Sequence, residues 1–166
     1  MKIIIIGMDN TGKTTLSHDL QRSFGFPIYK NHKGENTTYK EWFKSIPHYS
    51  AILERFYPIE EYVYGYILRG TYADFNSIIN AIDAIKQHEK LLIIYTRPSY
   101  KVIKDWKGRE QKEGVIANCS KLTNKFDKLI SSLNRYYYIY KYDYTKNEYK
   151  QLVKYIEDFF KIKEQF

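Results

Sequence analysis

Four consecutive isoleucines that end on a glycine constrain this chain more than any other feature in it. The run from Ile3 to Ile6 is β-branched and free of polar residues, as in a strand buried on both faces. Gly7-Met8-Asp9-Asn10-Thr11-Gly12-Lys13-Thr14 follows at once, and from Lys13 the spacing predicts a helix to Phe24, stopped by Gly25 and Pro27. Strand, glycine-bounded loop and helix therefore meet at one edge of a sheet. The two glycines let the backbone curl until successive amide hydrogens face inward, and the helix start adds the positive end of its dipole. Anion binding is thus written into the backbone, and the spacing is that of a P-loop for nucleotide polyphosphates. On that reading Gly7, Asn10, Thr11 and Gly12 cradle the phosphates, the Lys13 ammonium reaches the β and γ phosphates, and the Thr14 hydroxyl ligates Mg2+. Thr15 is expected at the α phosphate.

The remaining chain alternates short β-type runs with amphipathic stretches, which predicts a three-layer α/β/α fold around a five-stranded parallel sheet. The strands are expected at Lys2–Ile6, 28–32, 50–53, 91–95 and 136–142. Helices are expected at Lys13–Phe24, at 37–46 where Pro47 halts it, and as a pair between 59 and 90 divided by Gly70. A further helix carries the stripe Val115, Cys119, Leu122, Phe126, Leu129 and Leu133, and Tyr149–Phe160 is the last. With 166 residues and no linker or repeat, the expectation is one domain over 1–166.

The net charge of +8 fits a phosphate-bearing substrate, a nucleic acid or a solvated lysine-rich surface, and does not choose among them. Its spread along the chain and the lack of a helix-turn-helix or other recognition motif argue against nucleic acid. The rival from another class is a nucleic-acid-binding regulator that keeps the loop as a sensor. No apolar run approaches the roughly 18 residues that span a bilayer, so no membrane partner is expected. The single cysteine, Cys119, forms no internal disulfide and suits a reducing, cytoplasmic setting.

P-loops serve switch GTPases as well as kinases, and two matches invite the first reading. Asp105-Trp106-Lys107-Gly108 reads as D-x-x-G, and Asn124-Lys125-Phe126-Asp127 as the guanine-reading N-K-x-D. Each motif needs its own strand, yet no apolar run separates them, and Phe126 belongs to the helical stripe, which puts Asn124 and Lys125 on a solvated face. A kinase reading fits better. Glu54 and Arg55 stand at the end of the strand 50–53, the edge where open α/β sheets bind ligands. There Glu54 is a candidate to hold Mg2+ or its water shell, and Arg55 to bridge an acceptor phosphate and the transferred phosphoryl.

With Glu54-Arg55-Phe56 and Val63-Tyr64-Gly65 set beside Gly7-Met8-Asp9-Asn10-Thr11-Gly12-Lys13-Thr14-Thr15, the chain resembles the thymidylate kinase family, with deoxynucleoside kinases as close neighbours. That family carries a G-x-D-G-S-G-K-T-T loop and a D-R-[FYW] motif. Glu54 replaces the aspartate and is nearer to the E-R-S of deoxynucleoside kinases. The resemblance implies that Asp9 contacts the acceptor sugar and that Asp143 lies near the adenine loop. It also implies a helical lid over about 100–116, from which Arg109 neutralises charge on the transferred phosphoryl, since the loop itself offers no arginine. A homodimer is implied as well.

Tyr62, Tyr66 and Arg69 fall at helical spacing after Arg55 and are candidates for an acceptor wall, with Trp42 and Phe43 as the alternative stacking pair; core packing is an equal reading for the tyrosines. Lys30 and Lys33 near the second strand favour an anionic acceptor, while Glu35 is the nearest base for a free hydroxyl. The expected reaction moves the γ-phosphoryl of Mg-ATP in line to a deoxynucleoside monophosphate, dTMP first; a deoxynucleoside 5'-hydroxyl is the alternative.

Overall fold

In the computed structural model, which describes residues 1–30, 38–105 and 113–162, strand β1 (Lys2–Ile6) is the centre of a five-stranded sheet. Its neighbours are β2 (Ile28–Lys30), β3 (Ala51–Glu54), β4 (Leu91–Thr96) and β5 (Ile139–Tyr142), in the order β2-β3-β1-β4-β5, every pair parallel. The expected three-layer α/β/α architecture is the one observed.

Alternation along the strands sorts the core into two layers. Ile3 and Ile5 of β1, Ile52 of β3 and Leu92 and Ile94 of β4 pack with α1 (Lys13–Phe24) and α7 (Tyr149–Phe160) through Leu16, Leu20, Leu152 and Ile156. Ile4, Ile6, Leu53, Ile93 and Tyr95 face the other side. There they meet α2 (Tyr39–Lys44), α3 (Tyr57–Glu60), α4 (Phe75–Lys86), α5 (Tyr100–Lys104) and α6 (Cys119–Leu133) through Trp42, Ile59, Ile82, Ile103 and Phe126. A sheet covered on both faces needs strands that are largely apolar, and β1 is so from Ile3 to Ile6. No helix among the described residues is long and apolar enough to cross a membrane.

Several boundaries differ from the sequence expectation for identifiable reasons. Thr38 caps α2, its hydroxyl accepting from the Glu41 N–H while Glu41 returns a bond to the Thr38 N–H, so the helix opens at Tyr39. Strand β5 opens at Ile139 rather than 136, because the N–H groups of Tyr136 and Tyr137 still bond to the Leu133 carbonyl that closes α6. Gly70 does divide the segment between 59 and 90, taking the left-handed conformation at φ 64°. The part before it runs from α3 directly into a π-helix, Glu61–Arg69, whose wider turn the sequence does not announce.

Candidate functional site

The loop between β1 and α1 crosses the end of β4 so closely that glycine is required at its start. Gly7 has φ 149°, and a Cβ there would lie 2.6 Å from the Thr96 carbonyl oxygen. Asn10 and Gly12 take left-handed conformations at φ 64° and 84°, which turn the amides between them inward. Thr11 braces the curl, its hydroxyl 2.7 Å from both the Met8 carbonyl and the Thr96 hydroxyl. The Lys13 ammonium, only 5% exposed, donates to the carbonyls of Gly7 at 2.9 Å and Met8 at 2.6 Å. A cleft of about 520 Å³ opens here, lined by Gly12, Lys13, Thr14, Thr15 and Arg55 and on its far side by Tyr142 and Tyr144.

The end of β3 delivers two charged residues to opposite sides of the sheet plane. Glu54 has the parity of Ile52, so it points into the α1 layer, where the Thr14 hydroxyl donates to its Oε1 at 2.6 Å. Its Oε2 is buried and has no hydrogen-bond partner among the described residues. Arg55 adopts φ 72°, a left-handed conformation that costs an arginine about 1–3 kcal/mol and clusters at functional sites. Its Nη2 lies 3.5 Å from Asp9 Oδ1 and its Nη1 3.2 Å from Glu60 Oε2. Burial works to lower the guanidinium's pKa, but the charges of Glu60 and Asp9 outweigh it and hold it above the ordinary value.

Asp9 ties the loop to the π-helix. It is 0% exposed, its N–H donates to the Tyr64 hydroxyl at 2.8 Å, and that hydroxyl donates to Oδ1 at 3.3 Å. The other carboxylate oxygen, Oδ2, is buried without a hydrogen-bond partner among the described residues. Burial first, and the Asp9 and Glu60 charges next, push the Tyr64 phenol well above its ordinary pKa, so it remains a donor.

The structure thus brings the loop residues Gly7 to Thr15 together with Glu54 and Arg55, while the side chains of the other described candidates are engaged elsewhere. Trp42 is not a stacking surface: its ring is 1% exposed and wedged against Phe56 and Tyr57, because α2 turns its apolar side onto the core. Phe43 packs edge-on to Trp42 at 6.2 Å. Tyr62 and Tyr66 flank the Lys125 ammonium at 4.3 and 4.1 Å, so Lys125 is not simply solvated as the helical spacing suggests. Arg69 pairs with Glu61 at 2.6 Å. The Asp143 carboxylate turns into its own loop, accepting from the Thr145 N–H at 3.0 Å. Arg109, Lys33 and Glu35 lie outside the described residues.

The N-K-x-D match fails as expected. Its residues sit within α6, and Asp127 is taken up by Arg97 at 2.9 Å and the Tyr95 hydroxyl at 2.9 Å. Sequence reasoning missed Tyr142 and Tyr144 as cleft residues. Their place after a strand's carboxyl end was a usable signal, masked in a chain with 18 tyrosines.

No protein-family model matches the chain, and no curated protein is significantly similar to it in sequence. Solved structures do match. The YorR protein of Bacillus subtilis, in complex with phosphorylated GDP, superposes with a TM-score of 0.75 at 22% identity, over 95% of this chain and 96% of that one. A deoxyadenosine kinase from M. mycoides with bound dCMP and dCDP gives 0.62 at 20% identity, over 95% and 99%. A thymidylate kinase from Ehrlichia chaffeensis gives 0.51 at 12% identity, over 94% and 98%. The fold is that of the P-loop kinases. At these identities the likeness extends to the fold alone.

Proposed function

We propose that this chain is an ATP-dependent nucleotide kinase that phosphorylates a deoxynucleoside monophosphate, with dTMP as the first acceptor to test. The observation that carries the reading is Arg55. A cation just past the end of β3 lines the same cleft as Lys13 and Thr14 of the loop, and its backbone is held in a costly conformation there. Binding a nucleotide needs only the loop; transferring its phosphoryl needs a second cation facing a second substrate.

In the proposed reaction the acceptor phosphate oxygen attacks the γ phosphorus, the bond to the β-bridging oxygen breaks, and ADP leaves with the deoxynucleoside diphosphate as co-product. Lys13 exchanges its two loop carbonyls for β and γ phosphate oxygens and follows the charge to the leaving group. Arg55 aligns the acceptor phosphate against the γ-phosphoryl. The Thr14 hydroxyl and Glu54, with its unpartnered buried oxygen, are hard oxygen donors of the kind Mg2+ takes from a protein alongside phosphates and water. When bound, Mg2+ supplies neutralisation of the polyphosphate. Asp9 offers Oδ2 to an acceptor sugar hydroxyl.

An acceptor that is already anionic requires cations and no base, and exposed Lys30 at the end of β2 adds one. The phosphorylated GDP bound by YorR supports a nucleotide in such a site. The second reading, a deoxynucleoside phosphorylated on its 5'-hydroxyl, is favoured by Glu54 in place of the thymidylate kinase aspartate and by the likeness to deoxyadenosine kinase.

A coupled assay for ADP, with Mg-ATP and each deoxynucleoside monophosphate and free deoxynucleoside in turn, tests both. The expected outcome is ADP release stimulated by monophosphates. Stimulation by nucleosides alone would select the second reading, and none across the panel would overturn the kinase assignment.

A further inference from the structure

Behind the phosphate loop four oxygens stand in a row. The Ile6 carbonyl, the Thr96 hydroxyl, the Thr11 hydroxyl and the Met8 carbonyl follow one another at 3.0, 2.7 and 2.7 Å. Their residues are all buried, and Thr11 is not among those that line the cleft. Each hydroxyl owns a single proton. Two protons therefore serve three contacts, and one contact always goes without.

The Lys13 ammonium decides which one. It donates to the Met8 carbonyl at 2.6 Å, so that carbonyl has a donor whichever way the Thr11 hydroxyl turns. The Thr11 proton is then free for Thr96, and the Thr96 proton for Ile6. Once Lys13 moves to a phosphate, the Met8 carbonyl loses the ammonium. A buried carbonyl left without a donor is costly, and the Thr11 hydroxyl already stands 2.7 Å away. Rotation of that hydroxyl restores the bond, and the Thr96 proton turns to the Thr11 oxygen in its place. No backbone group has to move.

We infer that the Thr11 hydroxyl is a positioning group for Lys13, taking over the Met8 carbonyl when the ammonium leaves for the nucleotide, with Thr96 as its partner at rest. This rests on the kinase reading above and deepens the donor side of the same site. The consequence for the reaction is a lysine that is held in place without nucleotide and released at little cost when a polyphosphate binds. The Thr11 side chain does this from behind the loop, without touching a phosphate.

A comparison of Thr11→Ala with Thr11→Ser isolates the hydroxyl, since both variants lose the same methyl group. In isothermal titration of the full chain with Mg-ATP, Thr11→Ala is expected to bind about tenfold more weakly than Thr11→Ser, the effect of an orphaned carbonyl in the bound state. Urea unfolding without nucleotide supplies the second arm. With Lys13 in place the two variants should have similar midpoints. In a Lys13→Met background no ammonium reaches Met8, and the alanine midpoint should fall below the serine midpoint by about 0.5 M more than it does with Lys13 present. The same midpoint difference in both backgrounds would mark the hydroxyl as a fixed brace and overturn the inference. Equal, measurable ATP affinities of the two variants would overturn it too. Failure of Thr11→Ala to fold with Lys13 present, where Thr11→Ser folds, would count against it; failure confined to the Lys13→Met background would support it. If wild type bound no ATP, the kinase reading would fall, while the urea comparison would still report the exchange at Met8, so the two failures are told apart.

Discussion

Among the described residues two lysines are almost fully buried, one at each edge of the sheet, and they are held in opposite ways. Lys2 opens β1 at 1% exposure, its ammonium 2.5 Å from a Glu89 carboxylate oxygen and bonded to the Tyr49 carbonyl. Lys13 sits past the other end at 5% exposure on the carbonyls of Gly7 and Met8, with Asp9 Oδ1 4.0 Å away. Burying an ammonium is costly unless something answers its charge. At the amino edge a close carboxylate does so permanently. At the carboxyl edge carbonyl dipoles do much of it, and a polyphosphate brings charge enough to displace them. Burial alone therefore does not separate a structural cation from a functional one; the groups that hold it do.

The strongest way to break this contrast is Lys13→Ala. The expected loss is about 10²–10³ in kcat, the size seen when a preorganised donor to a developing charge is removed, with the far-UV circular dichroism unchanged. Retained turnover would move Lys13 into the structural class of Lys2. Glu54→Gln comes next. It keeps an acceptor for the Thr14 hydroxyl and removes the charge, so the Mg2+ concentration for half-maximal rate should rise about tenfold at saturating ATP, in line with supporting groups at metal sites. An unshifted magnesium titration would make Glu54 a brace, the carboxyl-edge counterpart of Glu89. Lys2→Met is the mirror test. Removing a charged hydrogen-bonding partner from Glu89 should cost about 1–3 kcal/mol in urea unfolding, with kcat where it was, because the change lies at the far edge from the cleft. A fall in kcat there would erase the contrast.

The parts of the molecule legible in the sequence are those whose signal is local. β1, α1 and α7 match their expected bounds because an unbroken isoleucine run, a glycine-bounded loop and a strong apolar stripe each decide the matter within a dozen residues. The loop and the Glu54-Arg55 pair were readable for the same reason. The missed features depend on partners distant in sequence. Trp42 looks like a stacking ring until Phe56 and Tyr57 close over it. Asp143 is a local exception, its carboxylate turned into its own loop by Thr145 two residues on. The π-helix has no period that distinguishes it from an α-helix over nine residues. Tyr144 follows a strand's carboxyl end, but its contact with Gly12 is what picks it out among the other tyrosines.

Arg97 and Asp127 sharpen the contrast most finely, because they stand at the carboxyl edge yet behave like Lys2 and Glu89. Arg97 donates through Nε and Nη2 to the two Asp127 oxygens at 3.0 and 2.9 Å, and Tyr95 adds its hydroxyl at 2.9 Å. Burial opposes ionisation of Asp127, but the bonds from Arg97 and Tyr95 outweigh it and hold the carboxyl below its ordinary range. A carboxyl whose folded pKa is depressed contributes stability in full above its unfolded value, about 4, and loses that contribution as the pH falls through the native value. The difference in urea midpoint between wild type and Asp127→Asn should therefore be constant from neutral pH down to about 5 and shrink below about 4. With the Asp127 side chain 37% exposed, solvent screens the pair and the effect should be the smallest of the four. A midpoint difference that persists undiminished into acid would show that it does not arise from ionisation of the Asp127 carboxyl.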